Sequence, residues 1–257
     1  MTQRESLSVV LIALNAATQL EPCLHSVAFA DEIVLVDSGS ADGTAELAAR
    51  YGARVLQQEW LGFGRQKQFA VEQAGHDWVL CLDADERVTP ALRASIENAL
   101  LKPAFGAYRF ARCNRFLGRY LRHGEGYPDL NLRLFHRRRA RWSDDVVHEH
   151  VLAQCEVGTL GGDLLHDSAE TIAAYLNKQN RYTSLAAGAA FAAGRRASAA
   201  NLLLSPILRF IKFYVLRRGF LDGLPGFVHI VIGSFNSFSK YAKMNELQIK
   251  QREGLLP

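Results

Sequence analysis

Short apolar runs separated by polar turns dominate the first hundred residues. Each run is too short for a helix and is bounded by polar residues, which is typical of strands buried on both faces of a sheet. The predicted strands are 7–14, 33–36, 54–56 and 78–82. The predicted helices are 16–27, 45–51, 65–73 and 90–101. Because strand and helix alternate with short connections, the pattern predicts an α/β fold with a mostly parallel sheet flanked by helices.

The pattern changes in the second half of the chain. Residues 106–110 alternate small and large side chains, which predicts an edge strand, and 131–135 alternate as in a strand with one face on the core. Residues 167–170 have the form of a capping box, which predicts a helix from there to about Gly194. Residues 220–238 are apolar, with the run broken by glycine and proline.

The C-terminal part combines apolar and basic residues. Residues 202–216 are strongly apolar but carry Arg209 and Lys212 on one helical face, and Arg217 and Arg218 follow. A basic amphipathic helix with aromatic residues can lie in a membrane interface. Packing on the sheet domain or on a second subunit is the alternative. We favour contact with a membrane surface, because the flanking charges are nearly all positive.

The composition is that of a folded protein. The 257 residues are 49% hydrophobic and 22% charged, enough for one α/β domain with an appendage. The four cysteines are far apart and form no CxxC pair, so we expect reduced thiols in a cytoplasmic protein. The polar N-terminus predicts no signal peptide. No uncharged apolar stretch reaches the roughly 18 residues that span a bilayer.

Positive charge is concentrated in one part of the chain. Between Arg109 and Arg141 there are ten arginines and only two acids, Glu125 and Asp129, whereas the whole chain has a net charge of +4. Such a block indicates an anionic partner, which could be nucleic acid, a phosphorylated substrate or a membrane surface. Part of it could also be a solvated face.

Polar residues end three of the predicted strands. Asn15 and Asp37 follow the first two, and Asp83 and Asp85 follow the strand at 78–82. In a parallel sheet these ends meet at the edge where open α/β sheets hold ligands. Two close carboxylates repel unless a cation such as Mg²⁺ or Mn²⁺ lies between them. With Lys67 as a further point charge, the set suggests a nucleotide-diphosphate site, although each residue could instead cap a turn or lie on a helix surface.

Several motifs resemble glycosyltransferase family 2. Near the N-terminus they are Leu-Ile-Ala-Leu-Asn at 11–15, Val-Asp-Ser-Gly-Ser-Ala-Asp-Gly-Thr at 36–44 and Leu-Asp-Ala-Asp-Glu at 82–86. Further along they are Tyr-Pro-Asp at 127–129, Arg-Leu-Phe at 133–135 and Val-His-Glu at 147–149. The second group resembles the lipopolysaccharide core biosynthesis glycosyltransferases of the WaaE/KdtX type, and the resemblance covers about residues 6–245.

The resemblance implies a GT-A fold with a C-terminal helical extension, a nucleotide-sugar donor, a divalent metal and inversion at the anomeric carbon. It implies that UDP-glucose donates glucose to an inner-core heptose of lipopolysaccharide. Another nucleotide-sugar or another envelope polysaccharide acceptor stays possible. Asp37 would read the uracil, and Asp85 would be the main metal carboxylate with Asp83 assisting. The donor-binding residues would be Asn15, Asp37, Ser38, Lys67, Asp83 and Arg133.

The acceptor hydroxyl needs a base, and three carboxylates are candidates. Glu149 is preferred, Asp145 is next, and Asp144 is the third. His148 could bind the metal or the diphosphate, and His166 is a weaker candidate for the same role. Further arginines that could hold the diphosphate or a phosphorylated inner core are Arg137 and Arg138.

Two other classes of protein are alternatives. A nucleotidyltransferase would have a glycine-rich, lysine-containing loop after its first strand, where this chain has Asn-Ala-Ala-Thr at 15–18. A nucleic-acid-binding protein could use the arginine block, but no recognisable binding motif is present. We therefore expect a transferase domain at 1–168 and a helical extension at 169–257. The partners of the protein would be a UDP-sugar, a lipid A-core acceptor and the inner membrane, and nucleic acid would not be a partner. The sequence does not decide the oligomeric state.

Overall fold

The computed structural model of the chain describes residues 4–145, 149–168 and 171–255. The strands are β1 (Leu7–Ala13), β2 (Glu32–Asp37), β3 (Arg54–Gln57), β4 (Trp78–Asp83), β5 (Glu86–Val88), β6 (Ala107–Phe116), β7 (Arg119–Tyr120), β8 (Asp129–His136), β9 (Ala140–Trp142), β10 (Val151–Ala153) and β11 (Val157–His166). The α-helices are α1 (Ala17–Ser26), α2 (Thr44–Arg50), α3 (Phe63–Glu72), α4 (Pro90–Leu101), α5 (Ile172–Ala192), α6 (Ala199–Phe210) and α7 (Gly223–Arg252). A π-helical segment, Ile211–Leu216, continues α6, and a 3₁₀ turn, Gly219–Asp222, precedes α7.

The strands of the described residues form a mixed sheet of nine strands and a separate ribbon of β9 and β10. β3, β2, β1 and β4 lie side by side in parallel, as the sequence predicts. β8 pairs antiparallel with β4 and β6, and the order continues through β11 to β5. The predicted α/β class is confirmed, and the antiparallel half adds strands that the sequence pattern did not reveal.

Strand alternation divides the core of the first unit into two layers. All seven residues of β1 are buried. Val9 and Leu11 belong to one layer, together with apolar residues of α1 and α4. Val10 and Ile12 belong to the other layer, together with residues of α3. Because helices cover both faces, the strand reads as one continuous apolar run.

The chain divides into two compact units. The first contains the described residues up to Cys113 together with Pro128–Asp167, and the second contains Asn114–Tyr127 and the residues from Ser168 onward. In the second unit α5 and α6 pack against α7. The Lys243 ammonium of α7 donates hydrogen bonds to several oxygens of α5, including the Asn180 carbonyl at 2.7 Å. The domain boundary expected at residue 168 remains a prediction.

Two expectations about individual elements are wrong. An edge strand is predicted at residues 106–110, but β6 lies inside the sheet between β8 and β11. The helix predicted to begin at the 167–170 capping box begins instead at Ile172, with the Thr171 hydroxyl accepting from the backbone N–H of Ala174 at 3.2 Å. The Asp167 carboxylate is engaged elsewhere, because it pairs with Arg87.

Gly223, Pro225 and Gly226, within the apolar run 220–238, lie near the start of one helix. α7 runs without a break from Gly223 to Arg252. Pro225 lies in the first turn of this helix, where a missing backbone N–H removes no intrahelical hydrogen bond. The glycine and proline therefore mark the start of a long helix.

The adjacent glycines of β11 allow a matched test of the packing between β11 and α4. Gly162 has a φ of +92°, and a Cβ added there would lie 2.3 Å from the backbone nitrogen of Leu92. Gly161 has its nearest neighbour at 3.8 Å. We expect Gly162→Ala to lower the free energy of unfolding by about 1–3 kcal/mol, because the substitution combines backbone strain with a backbone clash.

Urea titration followed by circular dichroism measures this difference. Gly161→Ala is the control and should stay close to the parent protein. Equal midpoints for the two variants would show that β11 and α4 do not approach this closely.

Candidate functional site

A cavity of about 470 Å³ lies beside the end of β4 in the first unit. Its lining contains four lysine or arginine side chains and two carboxylates. The lining side chains with polar groups are Lys67, Asp83, Arg109, Arg112, Asn131, Arg133, Trp142, Glu149 and His150. Four of the residues predicted from the sequence, Lys67, Asp83, Arg133 and Glu149, therefore come together here.

Strand periodicity explains why these side chains share one cavity. Val79 and Cys81 of β4 belong to the core layer beneath α3, and Asp83 follows at the same alternation. On the neighbouring strand β8, Phe135 belongs to that layer and Arg133 lies two residues before it. α3 covers this face of the sheet and contributes Lys67.

The charged groups of the cavity form one connected network. The Lys67 ammonium lies 3.1 Å from Asp83 Oδ1 and 3.1 Å from Glu149 Oε1. Arg133 Nη2 lies 3.1 Å from Asp83 Oδ2 and 3.2 Å from Glu86 Oε1. Glu86 also accepts from the backbone N–H of Asp83 at 3.0 Å through its second oxygen. Each charge of this group is thus compensated inside the protein.

Burial and charge act in opposite directions on the acids of this network. Burial alone raises the pKa of the Asp83 carboxyl, but Arg133 and Lys67 outweigh it and hold that pKa well below its ordinary value. For Glu86 burial dominates and raises the pKa, although Arg133 opposes it. Asp83 is therefore the firmly ionised member, placed between the two cations.

Two features of the cavity were not found in the sequence. The indole ring of Trp142 lies under both cations, with its centroid 4.8 Å from Lys67 Nζ and 5.4 Å from the Arg133 guanidinium carbon. Arg133 Nη1 is buried and has no hydrogen-bond partner among the described residues. The ring orients both cations, and Nη1 is a donor without a protein acceptor in the described part of the chain.

A close backbone approach places Glu149 beside α3. A Cβ added to Gly64 in the first turn of α3 would lie 2.3 Å from the Ser143 carbonyl oxygen and 3.3 Å from Glu149 Cβ. Only a glycine leaves space for this contact. The glycine before Arg65 therefore sets how near the carboxylate of Glu149 comes to Lys67.

A second group of predicted residues builds the turn after β2. The Asp37 carboxylate accepts from the backbone N–H groups of Gly39 (3.1 Å) and Ser40 (2.9 Å) and from the Gln57 amide (2.9 Å). The Asn15 side chain accepts from the backbone N–H of Ala41 at 3.0 Å. Burial raises the pKa of Asp37, but these hydrogen bonds outweigh it and lower the pKa below its ordinary value.

Ser38 belongs to the same turn. Its hydroxyl accepts from the Gln66 side-chain amide of α3 at 3.0 Å. Asn15, Asp37 and Ser38 are absent from the lining of the cavity among the residues that the structure describes. They form a separate cluster of polar groups at the ends of β1 and β2.

A third group consists of Asp85 and His166. Antiparallel pairing of β5 with β11 places His166 opposite Glu86, next to Asp85 in the chain. As a result His166 Nε2 lies 3.2 Å from Asp85 Oδ2. In the part of the chain that is described, no three histidine, cysteine or acidic side chains are arranged to hold a metal ion. His166 was the weaker of two histidine candidates, and only the unpredicted pairing of β5 with β11 brings it near Asp85.

The remaining candidates lie apart from the cavity or outside the described residues. His148 falls in the segment 146–148, outside the described residues. Asp145 pairs with His150 at 3.4 Å, and Asp144 is an exposed residue. Arg137 and Arg138, named from the sequence as possible contacts of the diphosphate or of a phosphorylated inner core, both pair with Asp77, Arg137 at 3.3 Å and Arg138 at 3.0 Å.

Comparison with known proteins identifies the family. The model of the family described as glycosyl transferase family 2 matches residues 8–153. The chain is 32% identical over 252 residues to the lipopolysaccharide core biosynthesis glycosyltransferase LpsC of Rhizobium meliloti, which covers 95% of this chain and 93% of that protein.

This chain belongs to glycosyl transferase family 2. It is also 30% identical to an uncharacterized glycosyltransferase of Rickettsia typhi, over 96% of this chain and 89% of that protein. Among solved structures, Staphylococcus aureus TarS 1–349 in complex with UDP is similar with a TM-score of 0.50 at 12% identity, covering 97% of this chain and 92% of that one. The fold of this family 2 enzyme is GT-A, and its assignment as a glycosyltransferase decides between the three classes weighed from the sequence.

Replacing Lys67 tests the charge network in the folded enzyme. We expect Lys67→Met to lower the free energy of unfolding at neutral pH by about 1–3 kcal/mol, because Asp83 and Glu149 lose a hydrogen-bonded cation. The depressed pKa of Asp83 stabilises the fold above the ordinary value near 3.8 and loses this effect as the pH falls. The difference between Lys67→Met and the parent should therefore shrink as the solution is acidified below about pH 4.

Denaturant titrations at several pH values provide the measurement. Lys102→Met, at an exposed position, is the control and should change stability little at any pH. A Lys67→Met effect that stays constant down to acidic pH would contradict the proposed pairing with ionised carboxylates.

Proposed function

We propose that this family 2 enzyme transfers a hexose, glucose from UDP-glucose, to an inner-core heptose of lipopolysaccharide with inversion at the anomeric carbon. One observation carries the proposal: two buried cations, Lys67 and Arg133, share a cavity with a carboxylate, Glu149. A sugar nucleotide needs cations at its diphosphate, and an acceptor hydroxyl needs a base. Similarity to LpsC, a lipopolysaccharide core biosynthesis glycosyltransferase, supports the acceptor.

Inverting transfer requires the acceptor oxygen to attack the anomeric carbon from the side opposite the diphosphate. Glu149 takes the proton of the acceptor hydroxyl as the new glycosidic bond forms. Lys67 and Arg133 neutralise the negative charge that develops on the departing diphosphate, and Arg133 Nη1 is the free donor for one of its oxygens. The surrounding ion pairs hold these groups in place before the substrates arrive, so little reorganisation accompanies the reaction.

The turn after β2 is proposed as the nucleoside subsite. Asp37 Oδ1 accepts one hydrogen bond, from the Ser40 hydroxyl. A carboxylate oxygen has two lone pairs, so Oδ1 can accept a second hydrogen bond from a uracil N–H once the turn moves to expose Asp37, which is 0% exposed in this structure. Asn15 and Ser38 border the same turn. Asp37 would then serve two purposes, since it also shapes the turn that receives the base.

Asp85 and His166 are proposed to hold the divalent cation, with Asp83 near the ribose and the diphosphate. One carboxylate and one imidazole are too few for a complete coordination shell. They suit an ion such as Mg²⁺ or Mn²⁺ that takes its other ligands from phosphate oxygens and water. When bound, the ion would supply positive charge to the diphosphate. His148, the other histidine candidate, lies outside the described residues.

The reaction is proposed to take place in the cytoplasm, at the face of the inner membrane where a lipid A-core acceptor is found. Another nucleotide-sugar, or another envelope polysaccharide as acceptor, is the alternative within the same family. Mass analysis of lipopolysaccharide from a strain without this enzyme tests the choice, because the missing mass identifies the sugar.

Substitution of the two candidate bases tests the catalytic assignment. We expect Glu149→Gln to lower kcat by about 10²–10⁴-fold, as removal of a general base does, while affinity for UDP changes little. Asp145→Asn is the matched control, because Asp145 lies on the same loop but pairs with His150 outside the network around Lys67. UDP release from UDP-glucose with an acceptor extract provides the rate. A larger loss in Asp145→Asn than in Glu149→Gln would reverse the assignment.

Calorimetry with and without metal tests the proposed cation site. UDP should bind more tightly when Mn²⁺ or Mg²⁺ is present, and a chelator should remove this increment. Asp85→Asn and His166→Gln should each reduce the increment but leave metal-free UDP binding unchanged. An increment that survives both substitutions would place the ion elsewhere.

A further inference from the structure

The longest apolar surface of the second unit is unburied. None of the residues from Ala199 to Leu216, which include α6 and the π-helical segment, is buried. The side chains of Leu203, Leu208 and Leu216 are 62%, 63% and 73% exposed. This stretch of 18 residues has a mean hydropathy of 1.4, and in the described part of the chain it is the one helix long and apolar enough to cross a membrane by length and composition.

The charges around this stretch are mostly positive. Residues 171–245 contain ten lysines and arginines but a single acid, Asp222. Asp222 is 1% exposed. Its Oδ2 accepts from the backbone N–H groups of Arg122 at 2.9 Å and His123 at 2.7 Å. The one acid of residues 171–245 is therefore used inside the unit, and Glu125, from the other segment of the unit, is paired with Arg209.

The stretch continues into a second apolar patch of the same unit. Phe220 is 48% exposed and Leu224 is 72% exposed, just beyond the cations Arg217 and Arg218. We call Ala199–Leu216 with these four residues the basic apolar surface. Exposed apolar area of this extent marks an interaction site, and cations beside it select an anionic partner.

We propose that the basic apolar surface docks flat on a bilayer that contains anionic lipids. Apolar side chains would enter the level of the headgroups while Lys212, Arg217 and Arg218 contact lipid phosphates. The proposed function already places the reaction at the inner membrane, and this inference assigns the membrane contact to a surface that has no part in the chemistry.

Contacts within the unit favour a flat position over a membrane-spanning one. Arg209, near the middle of the stretch, pairs with Glu125. The Arg217 carbonyl accepts from the backbone N–H of Gly124 at 2.9 Å, and its guanidinium donates to the Tyr127 carbonyl at 3.1 Å. Ser205 shares a hydrogen bond of 2.6 Å with Ser237 of α7. A spanning helix would have to break these contacts and carry Arg209 and Lys212 into hydrocarbon.

A lipid surface fits these observations better than a second copy of the chain. If two copies met through this surface, the positive charges of one copy would lie against those of the other, and they would repel each other. Anionic lipid supplies the opposite charge over the whole surface. Dimerisation is accordingly an outcome that the test must detect.

Flotation of the full-length enzyme with lipid vesicles tests the proposal. We expect binding to vesicles of phosphatidylcholine mixed with phosphatidylglycerol, much weaker binding to phosphatidylcholine alone, and partial release by salt. The double variant Lys212→Gln/Arg218→Asn should lower binding by about tenfold or more. Asparagine is chosen because Arg218 has a φ of 55°, a conformation that asparagine tolerates.

A second pair of variants tests the apolar part. Leu208→Gln should weaken binding to the mixed vesicles, whereas Leu101→Gln, at an exposed leucine of α4 in the first unit, is the control and should not. UDP binding, measured for every variant, shows that each is folded and keeps the vesicle result separate from the proposed transfer reaction.

Three results would overturn the proposal. The first is absence of vesicle binding by an enzyme that still binds UDP. The second is self-association in sedimentation that Leu208→Gln abolishes, which would make the surface a contact between copies. The third is retention of the enzyme in the bilayer after an alkaline carbonate wash, which would indicate a spanning helix.

Discussion

The burial of Arg133 is the constraint on which the rest of the site depends. Its side chain is 5% exposed, and a guanidinium removed from water must be matched by negative charge. Asp83 and Glu86 supply that charge from either side of the turn that follows β4. Since Glu86 also accepts from the backbone N–H of Asp83, the same carboxylate fixes the turn that carries Asp85. One buried cation thus orders the strand end, the turn and the cavity together.

The proposed function depends on the groups of this network that can still bind substrate. Asp83 and Glu86 satisfy one end of the Arg133 guanidinium, and Nη1 is without a protein partner among the described residues. Lys67 joins the network to Glu149, so the carboxylate proposed as the base and the cations proposed for the leaving group belong to one connected structure. Substitution of only the cations, or of only the carboxylates, would leave a buried charge without its partner. Single substitutions in this network are therefore expected to destabilise the protein.

The sequence predicted the parts of the fold that depend on local patterns. The parallel strands and α1–α4 follow from apolar runs and helical spacing, and the strand-end positions of Asn15, Asp37 and Asp83 follow from the same patterns. β5, β9 and β10 could not be found this way, because three residues are too few to show a period. The position of His166 beside Asp85 depends on the pairing of β5 with β11, and such long-range pairing leaves no local signal. Trp142 was missed because its role depends on Lys67 and Arg133, which come together over its ring only in the folded arrangement of α3, β8 and β9.

The measurement closest to the central claim is a crystal structure of the enzyme with UDP and Mn²⁺, with the manganese located from its anomalous scattering. We expect the diphosphate within hydrogen-bonding distance of Arg133 Nη1 and Lys67 Nζ, with the manganese signal beside Asp85 and His166. A diphosphate bound away from both cations, with the network between Arg133, Asp83 and Glu86 unchanged, would contradict it.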